Sequence, residues 1–103
     1  MKRMYRQGDV LIVEAHLPDQ DRYLAEAKDR ILVYGESTGH AHRVDGPREV
    51  IVYDLWGRDK YISAPTPFRL VHDEHDTIEI PEGFYRVIRQ REYDERESRY
   101  VRD

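Results

Sequence analysis

The sequence predicts an all-β protein folded as one antiparallel β-barrel, jelly roll or sandwich. Short runs rich in Val, Ile, Tyr and Phe recur along the chain, and such runs are typical of strands. Turn signals containing Gly, Pro or Asp separate these runs at short intervals, as they do in sandwiches and barrels. The length of 103 residues is that of a single domain.

About eight strands are expected from this pattern. In chain order they cover residues 9–15, 30–36, 40–44, 49–56, 61–64, 68–72, 77–80 and 84–90. The strongest is 49–56, "EVIVYDLW", which ends at the turn signal "GRDK". The last strand begins directly after the turn signal "PEG". The residues expected in the core are Val10, Ile12, Leu32, Ile51, Val52, Leu70, Ile80 and Val87.

Two segments do not follow this pattern of short strands separated by turns. Residues 19–29 contain good helix formers, and Tyr23 and Ala27 are four apart, so the segment is read either as a short helix or as a loop. Residues 1–92 are expected to form the β domain, followed by a charged C-terminal tail at 93–103. Acid-first pairs four residues apart in this region favour a short helix or a solvated tail.

The tail also permits a second interpretation, in which it docks on another subunit. Tyr93 and Tyr100 are seven residues apart and would share one face of a helix. A homodimer is therefore one expectation. A small-molecule ligand is a second expected partner.

Composition argues against several functional classes. The net charge of −4 gives no general attraction for nucleic acid or an anionic membrane. The chain has no cysteine, which excludes disulfides and thiolate metal ligands. No apolar run approaches the roughly 20 residues that span a bilayer, and no signal peptide is recognisable. A cytoplasmic location is the expectation.

Four of the five histidines lie in two short segments. On a strand, residues i and i+2 face the same side, so His40 and His42 would project together. Neutral imidazole is a good ligand for Zn, Fe, Mn or Ni. A His-x-His strand therefore offers two adjacent ligands for a divalent transition metal.

The second segment is "VHDEHD", residues 71–76. His72 is the expected third ligand, and either His75 or Glu74 is the fourth if the chain turns after the strand. The alternative is that these are ordinary polar histidines without a metal.

The first histidine pair resembles the metal-binding motif of the cupin superfamily, small β-barrels that hold a metal with His-x-His, a Glu and a later His. His40 and His42 match the first motif, and Pro81 and Gly83 match the turn of the second. The motif's Glu is absent, and Arg86 stands where its later His would be, so cupin activities do not carry over. The chain is also similar to small bacterial and phage proteins with "TGHAH" and "HxEH" segments.

Three functions are consistent with these residues. The first is a metal-dependent enzyme, hydrolytic or isomerising, in which Glu74 or Asp73 would act as general base toward a metal-bound water. The second is a metal-containing binding or regulatory module without turnover. The third is a structural or oligomeric protein whose histidines are incidental.

Overall fold

The computed structural model describes residues 2–34, 40–57 and 59–89. Within these ranges the chain forms ten strands: β1 Met4–Gln7, β2 Val10–Glu14, β3 Leu24–Glu26, β4 Ile31–Tyr34, β5 Ala41–Asp45, β6 Ile51–Leu55, β7 Asp59–Ala64, β8 Phe68–Val71, β9 Ile78–Ile80 and β10 Gly83–Arg89. The predicted all-β class is confirmed. The expected tail at 93–103 and the glycine-rich residues 35–39 lie outside the described residues.

The strands form two antiparallel sheets. One has the order β1-β2-β10-β7-β6-β3, and the other has the order β4-β5-β8-β9. β10 lies near the centre of the first sheet, where it pairs with β2 on one side and β7 on the other. Through the described residues the two sheets stay separate and do not close into a barrel, so the sandwich is the form adopted.

The core lies between the sheets because each strand turns alternate side chains inward. It combines residues of the six-stranded sheet with residues of the four-stranded sheet: Val10, Ile12, Val50, Val52, Ile62, Ala64 and Tyr85 from the first and its loop, and Leu32, Val44, Phe68, Leu70 and Ile80 from the second. Burying each large apolar side chain contributes about 1.5–3 kcal/mol. Of the predicted core residues, Ile51 and Val87 are only partly buried.

Tyr85 anchors this core. Its ring is fully buried and packs edge-to-face against Tyr5 and Phe68, with centroid distances of 6.2 and 5.9 Å. Its hydroxyl donates a hydrogen bond of 2.7 Å to the carbonyl of Pro81. A buried hydroxyl needs such a partner, and this one ties the predicted "PEG" turn to the strand that follows it.

The short helix considered for residues 19–29 is not formed. The segment contains a single 3-10 turn at Asp21–Tyr23, followed by β3. Leu24 pairs with Leu55, and Glu26 pairs with Tyr53, at the edge of the six-stranded sheet. Strand pairing at a free sheet edge therefore outweighs a weak local helix preference, as tertiary context often does.

β1 was not predicted, and it matters for the rest of the structure. Gln7 pairs with Val10, so Gly8 and Asp9 form a two-residue hairpin turn. Gly8 has φ +60°, a conformation that glycine adopts without steric cost.

In the described part of the chain no helix is long and apolar enough to cross a membrane.

Candidate metal centre

The two histidine segments meet because of strand register. β5 pairs with β8 so that Arg43 lies opposite Val71. Extending this antiparallel register by one residue sets His42 opposite His72, which directly follows β8. His42 is 5% exposed and projects between the sheets, whereas Arg43 on the opposite face is exposed.

The four imidazole rings lie close together. The ring centroids are 4.3 Å apart for His42 and His72, and 4.6 Å apart for His72 and His75. His42 and His75 are 5.8 Å apart, and so are His40 and His72. Imidazoles bound to one ion at about 2.0–2.1 Å have centroids roughly 5 Å apart, so the four side chains are near the spacing that a shared metal requires.

Gln7 determines which nitrogen of His42 carries a proton. The Gln7 side-chain nitrogen donates 2.9 Å hydrogen bonds to the carbonyls of Leu70 and Asp76. Its oxygen, 2.8 Å from His42 Nδ1, is then an acceptor, so Nδ1 donates. When His42 is neutral, its lone pair is therefore on Nε2. Metal-ligating histidines commonly have this arrangement, with the second ring nitrogen donating to an oxygen.

Asp9 faces the other nitrogen of His42. Its Oδ1 lies 3.5 Å from Nε2 of His42, and its Oδ2 lies 3.7 Å from Nε of Arg89. Burial lowers the pKa of His42, and the charges of His72 and His75 lower it further, while the Asp9 carboxylate opposes the shift. The lowered pKa favours the neutral imidazole, which is the form that binds metal.

Gly8 makes room for His75. A Cβ at Gly8 would lie 2.6 Å from Nε2 of His75 and 3.0 Å from its Cδ2. The hairpin turn between β1 and β2 thus contacts the histidines at three successive positions. Gln7 bonds to His42, Gly8 packs under His75, and Asp9 faces His42.

His72 is engaged by its own loop. Its Nδ1 accepts hydrogen bonds from the backbone N–H groups of Glu74, at 3.0 Å, and His75, at 3.3 Å. These bonds curl the chain after β8 and bring His75 back toward His42. They also leave the proton of neutral His72 on Nε2.

The donor atoms do not converge as they stand. Among residues 2–34, 40–57 and 59–89, no group of three or more His, Asp and Glu side chains is arranged to hold a metal ion. The rings of His42 and His75 stack at 14° instead of pointing their nitrogens at a common centre. Metal binding would therefore require His72 and His75 to rotate within their loop.

The two predicted general bases lie on opposite sides of this loop. Oε1 of Glu74 lies 3.0 Å from Nδ1 of His40, at the edge of the histidines, and its side chain is largely exposed. Oδ1 of Asp73 lies 3.8 Å from Nη1 of Arg43, on the outer face of the sheet. Glu74 is thus the carboxylate beside the histidines, and Asp73 turns away from them.

Sequence reasoning missed the hairpin turn as part of this region. Gly8 preceding a strand is a signal for a turn, but nothing local indicates that the turn contacts His42 and His75, which lie far away in the chain. His16, the fifth histidine, is exposed. It lines a groove of about 510 Å³ together with Tyr53 and Phe84, and none of the four clustered histidines lines that groove.

Comparison with known protein families gives a match over most of the chain. Residues 6–90 match the family model described as a domain of unknown function, DUF8820. Searches of the curated proteins and of the solved structures found no match. The matched range includes the hairpin turn, both histidine segments and nearly all of the described strands. The chain therefore belongs to the DUF8820 family.

Proposed function

We propose that this protein binds a divalent transition metal ion, one of Zn, Fe, Mn or Ni, through its four clustered histidines: His40, His42, His72 and His75. The observation that carries the proposal is their spacing, with neighbouring ring centroids 4.3–5.8 Å apart although the two segments are 30 residues apart in the chain. Four neutral imidazoles brought together beside carboxylates form a donor set typical of such ions.

The rearrangement that binding requires is small in energy. His72 would release two backbone N–H groups, and each lost hydrogen bond costs about 0.5–1.5 kcal/mol. Zinc-finger peptides, whose ligands include thiolates, have apparent zinc-binding free energies of about 10–16 kcal/mol at neutral pH. A histidine site with only a fraction of that affinity would still offset the loss of two hydrogen bonds.

The test is metal stoichiometry in protein purified without a histidine tag. Wild type is expected to take up one equivalent of Zn²⁺ in equilibrium dialysis, and His42→Ala and His72→Ala are expected to lose most of that uptake. His16→Ala is the matched control, because it removes an exposed histidine outside the group and should bind like wild type. If wild type takes up no ion, or if all four proteins bind equally, the proposal is wrong.

One observation favours catalysis as a second function. Glu74 combines an exposed carboxylate with a 3.0 Å contact to His40, which supports it as the candidate general base toward a metal-bound water. Catalysis also needs an exchangeable coordination position. Azide added to the Co²⁺-loaded protein should then shift its visible absorption bands, whereas a closed, purely structural site would leave them unchanged.

A further inference from the structure

Asp9 is held against the histidines from the opposite sheet. It lies in the turn between β1 and β2 of the six-stranded sheet, whereas His42 belongs to β5 of the four-stranded sheet. The Gln7 hydrogen bond commits His42 Nδ1 as a donor, so when His42 is neutral the lone pair of its Nε2 faces Oδ1 of Asp9.

The distance fits two ligands of one metal ion. A nitrogen ligand at about 2.0–2.1 Å and a carboxylate oxygen at about 2.0–2.2 Å are separated by roughly 2.9–3.6 Å when neighbouring ligands of a five-coordinate ion subtend about 90–120°. Oδ1 of Asp9 and Nε2 of His42 are 3.5 Å apart. An ion could therefore bind between Oδ1 of Asp9 and Nε2 of His42 without movement of the β1–β2 turn or of β5.

The turn is braced in this position independently of Asp9. Gln7, which is 3% exposed, hydrogen-bonds to the carbonyls of Leu70 and Asp76 at the two ends of the histidine loop. Nε of Arg89 lies 3.7 Å from Oδ2 of Asp9, a charge contact longer than a hydrogen bond, and Oδ1 is the oxygen that faces His42. Carboxylates that bind metal ions commonly have outer partners of their own.

We infer that Asp9 is a ligand of the metal bound by the four histidines, so that the ion joins the two sheets of the sandwich. This inference rests on the proposed function, since it assigns a further ligand to the same ion. The anionic oxygen would also reduce the net charge of a buried divalent ion and would favour ions that accept mixed nitrogen and oxygen ligands, such as Zn²⁺, Fe²⁺ or Mn²⁺.

The experiment is Co²⁺ titration, monitored by visible absorption, of untagged wild type, Asp9→Asn, Asp9→Glu and Asp45→Asn. Asn keeps the shape of Asp9 but removes the charge of its oxygen. Affinity should fall at least 10-fold in Asp9→Asn, and the absorption bands of the bound Co²⁺ should shift, because one ligand has changed. Asp9→Glu should recover part of the lost affinity.

Asp45→Asn is the matched control. It removes the same unit of charge at the far end of β5, where Asp45 pairs with Arg69 on the protein surface. It should bind Co²⁺ within about twofold of wild type, since exposed charges at that separation are largely screened.

The outcomes separate the two proposals. If wild type binds Co²⁺ and Asp9→Asn binds it with unchanged affinity and spectrum, Asp9 is not a ligand, while the histidine site stands. A weaker affinity with an unchanged spectrum would also overturn ligation, because it would reflect long-range charge alone. If wild type binds no ion, both proposals fail together. Far-UV circular dichroism of each variant checks that the fold is retained.

Discussion

The side-chain oxygen of Gln7 lies 2.8 Å from Nδ1 of His42, and both side chains are buried although the residues are 35 positions apart. The same Gln7 side chain donates to two backbone carbonyls, that of Leu70 in β8 and that of Asp76 in the loop after β8. One amide therefore fixes the orientation of His42 and ties β1 to the loop that carries His72 and His75.

Replacing Gln7 with Leu should lower both stability and metal affinity. The change leaves buried polar groups without a partner, which costs about 1–3 kcal/mol. Loss of the oxygen that orients a metal ligand typically reduces affinity about 10–100-fold. Urea unfolding and Zn²⁺ titration measure the two effects. Gln20→Leu, at an exposed position, is the control, and equal behaviour of the two variants would contradict the role given to Gln7.

Gly8→Ala and Gly57→Ala form a matched pair that isolates the contact with His75. Both glycines have positive φ, +60° and +71°, so alanine at either position should cost roughly 1–2 kcal/mol in backbone strain. Only at Gly8 would the new Cβ meet a side chain, at 2.6 Å from His75; at Gly57 it meets nothing within 4 Å.

Because the tip of an exposed histidine can move, the extra stability loss in Gly8→Ala should be small. Its main effect should be displacement of His75 and a weaker affinity for Zn²⁺, by about 10-fold if one ligand is moved out of position. Thermal melts and metal titration of the two variants make the comparison. Equal metal affinity in the two variants would show that His75 is not a ligand in this position.

Tyr85 should make the protein sensitive to alkali. Burial raises the pKa of its phenol above the ordinary value, so the folded state holds this proton more tightly than the unfolded state does. The resulting stability is fully present below the unfolded pKa of about 10 and is lost as the pH rises through the higher folded value.

Tyr85→Phe separates this effect from other alkaline titrations. At pH 7 the variant should be less stable by about 0.5–1.5 kcal/mol, because the hydrogen bond to Pro81 is lost. Between pH 9 and 11 it should lose less stability than wild type, since it has no buried phenol to ionise. Urea unfolding across this pH range gives the comparison. Tyr23→Phe, which changes an exposed ring, should follow wild type, and a Tyr85→Phe curve parallel to wild type would contradict the prediction.

Much of the fold could be predicted from local sequence. Runs such as "EVIVYDLW" and "FYRVIRQ" combine β-branched and aromatic residues with clear turn signals at their ends. β1 and β3 could not be predicted in this way. "MYRQ" and "LAE" have little strand preference of their own, and each lies at an edge of the six-stranded sheet, where pairing with a neighbour determines the conformation.

In the histidine region, too, some features follow from local sequence and others depend on the tertiary structure. The period of two on a strand is a local property, and it predicts that His40 and His42 share a face. In the structure β5 begins at Ala41, directly after His40, and the His40 and His42 rings lie 5.8 and 4.3 Å from the ring of His72. The approach of His72 depends on the register between β5 and β8, which sets it opposite His42. Register is determined by which hydrophobic faces pack together, and that is a property of the whole sandwich.

By itself the sequence determined the all-β class, the positions of the longer strands, and the residue types that could bind a metal, because these depend on side-chain chemistry and on the period of a strand. Only the tertiary structure decided that the Gln7–Asp9 turn meets the histidines, that Glu74 lies beside them, and that Asp73 turns toward Arg43. Contacts between residues far apart in the chain form when two sheets bury their apolar faces together. No local sequence pattern predicts which polar side chains that packing brings close to one another.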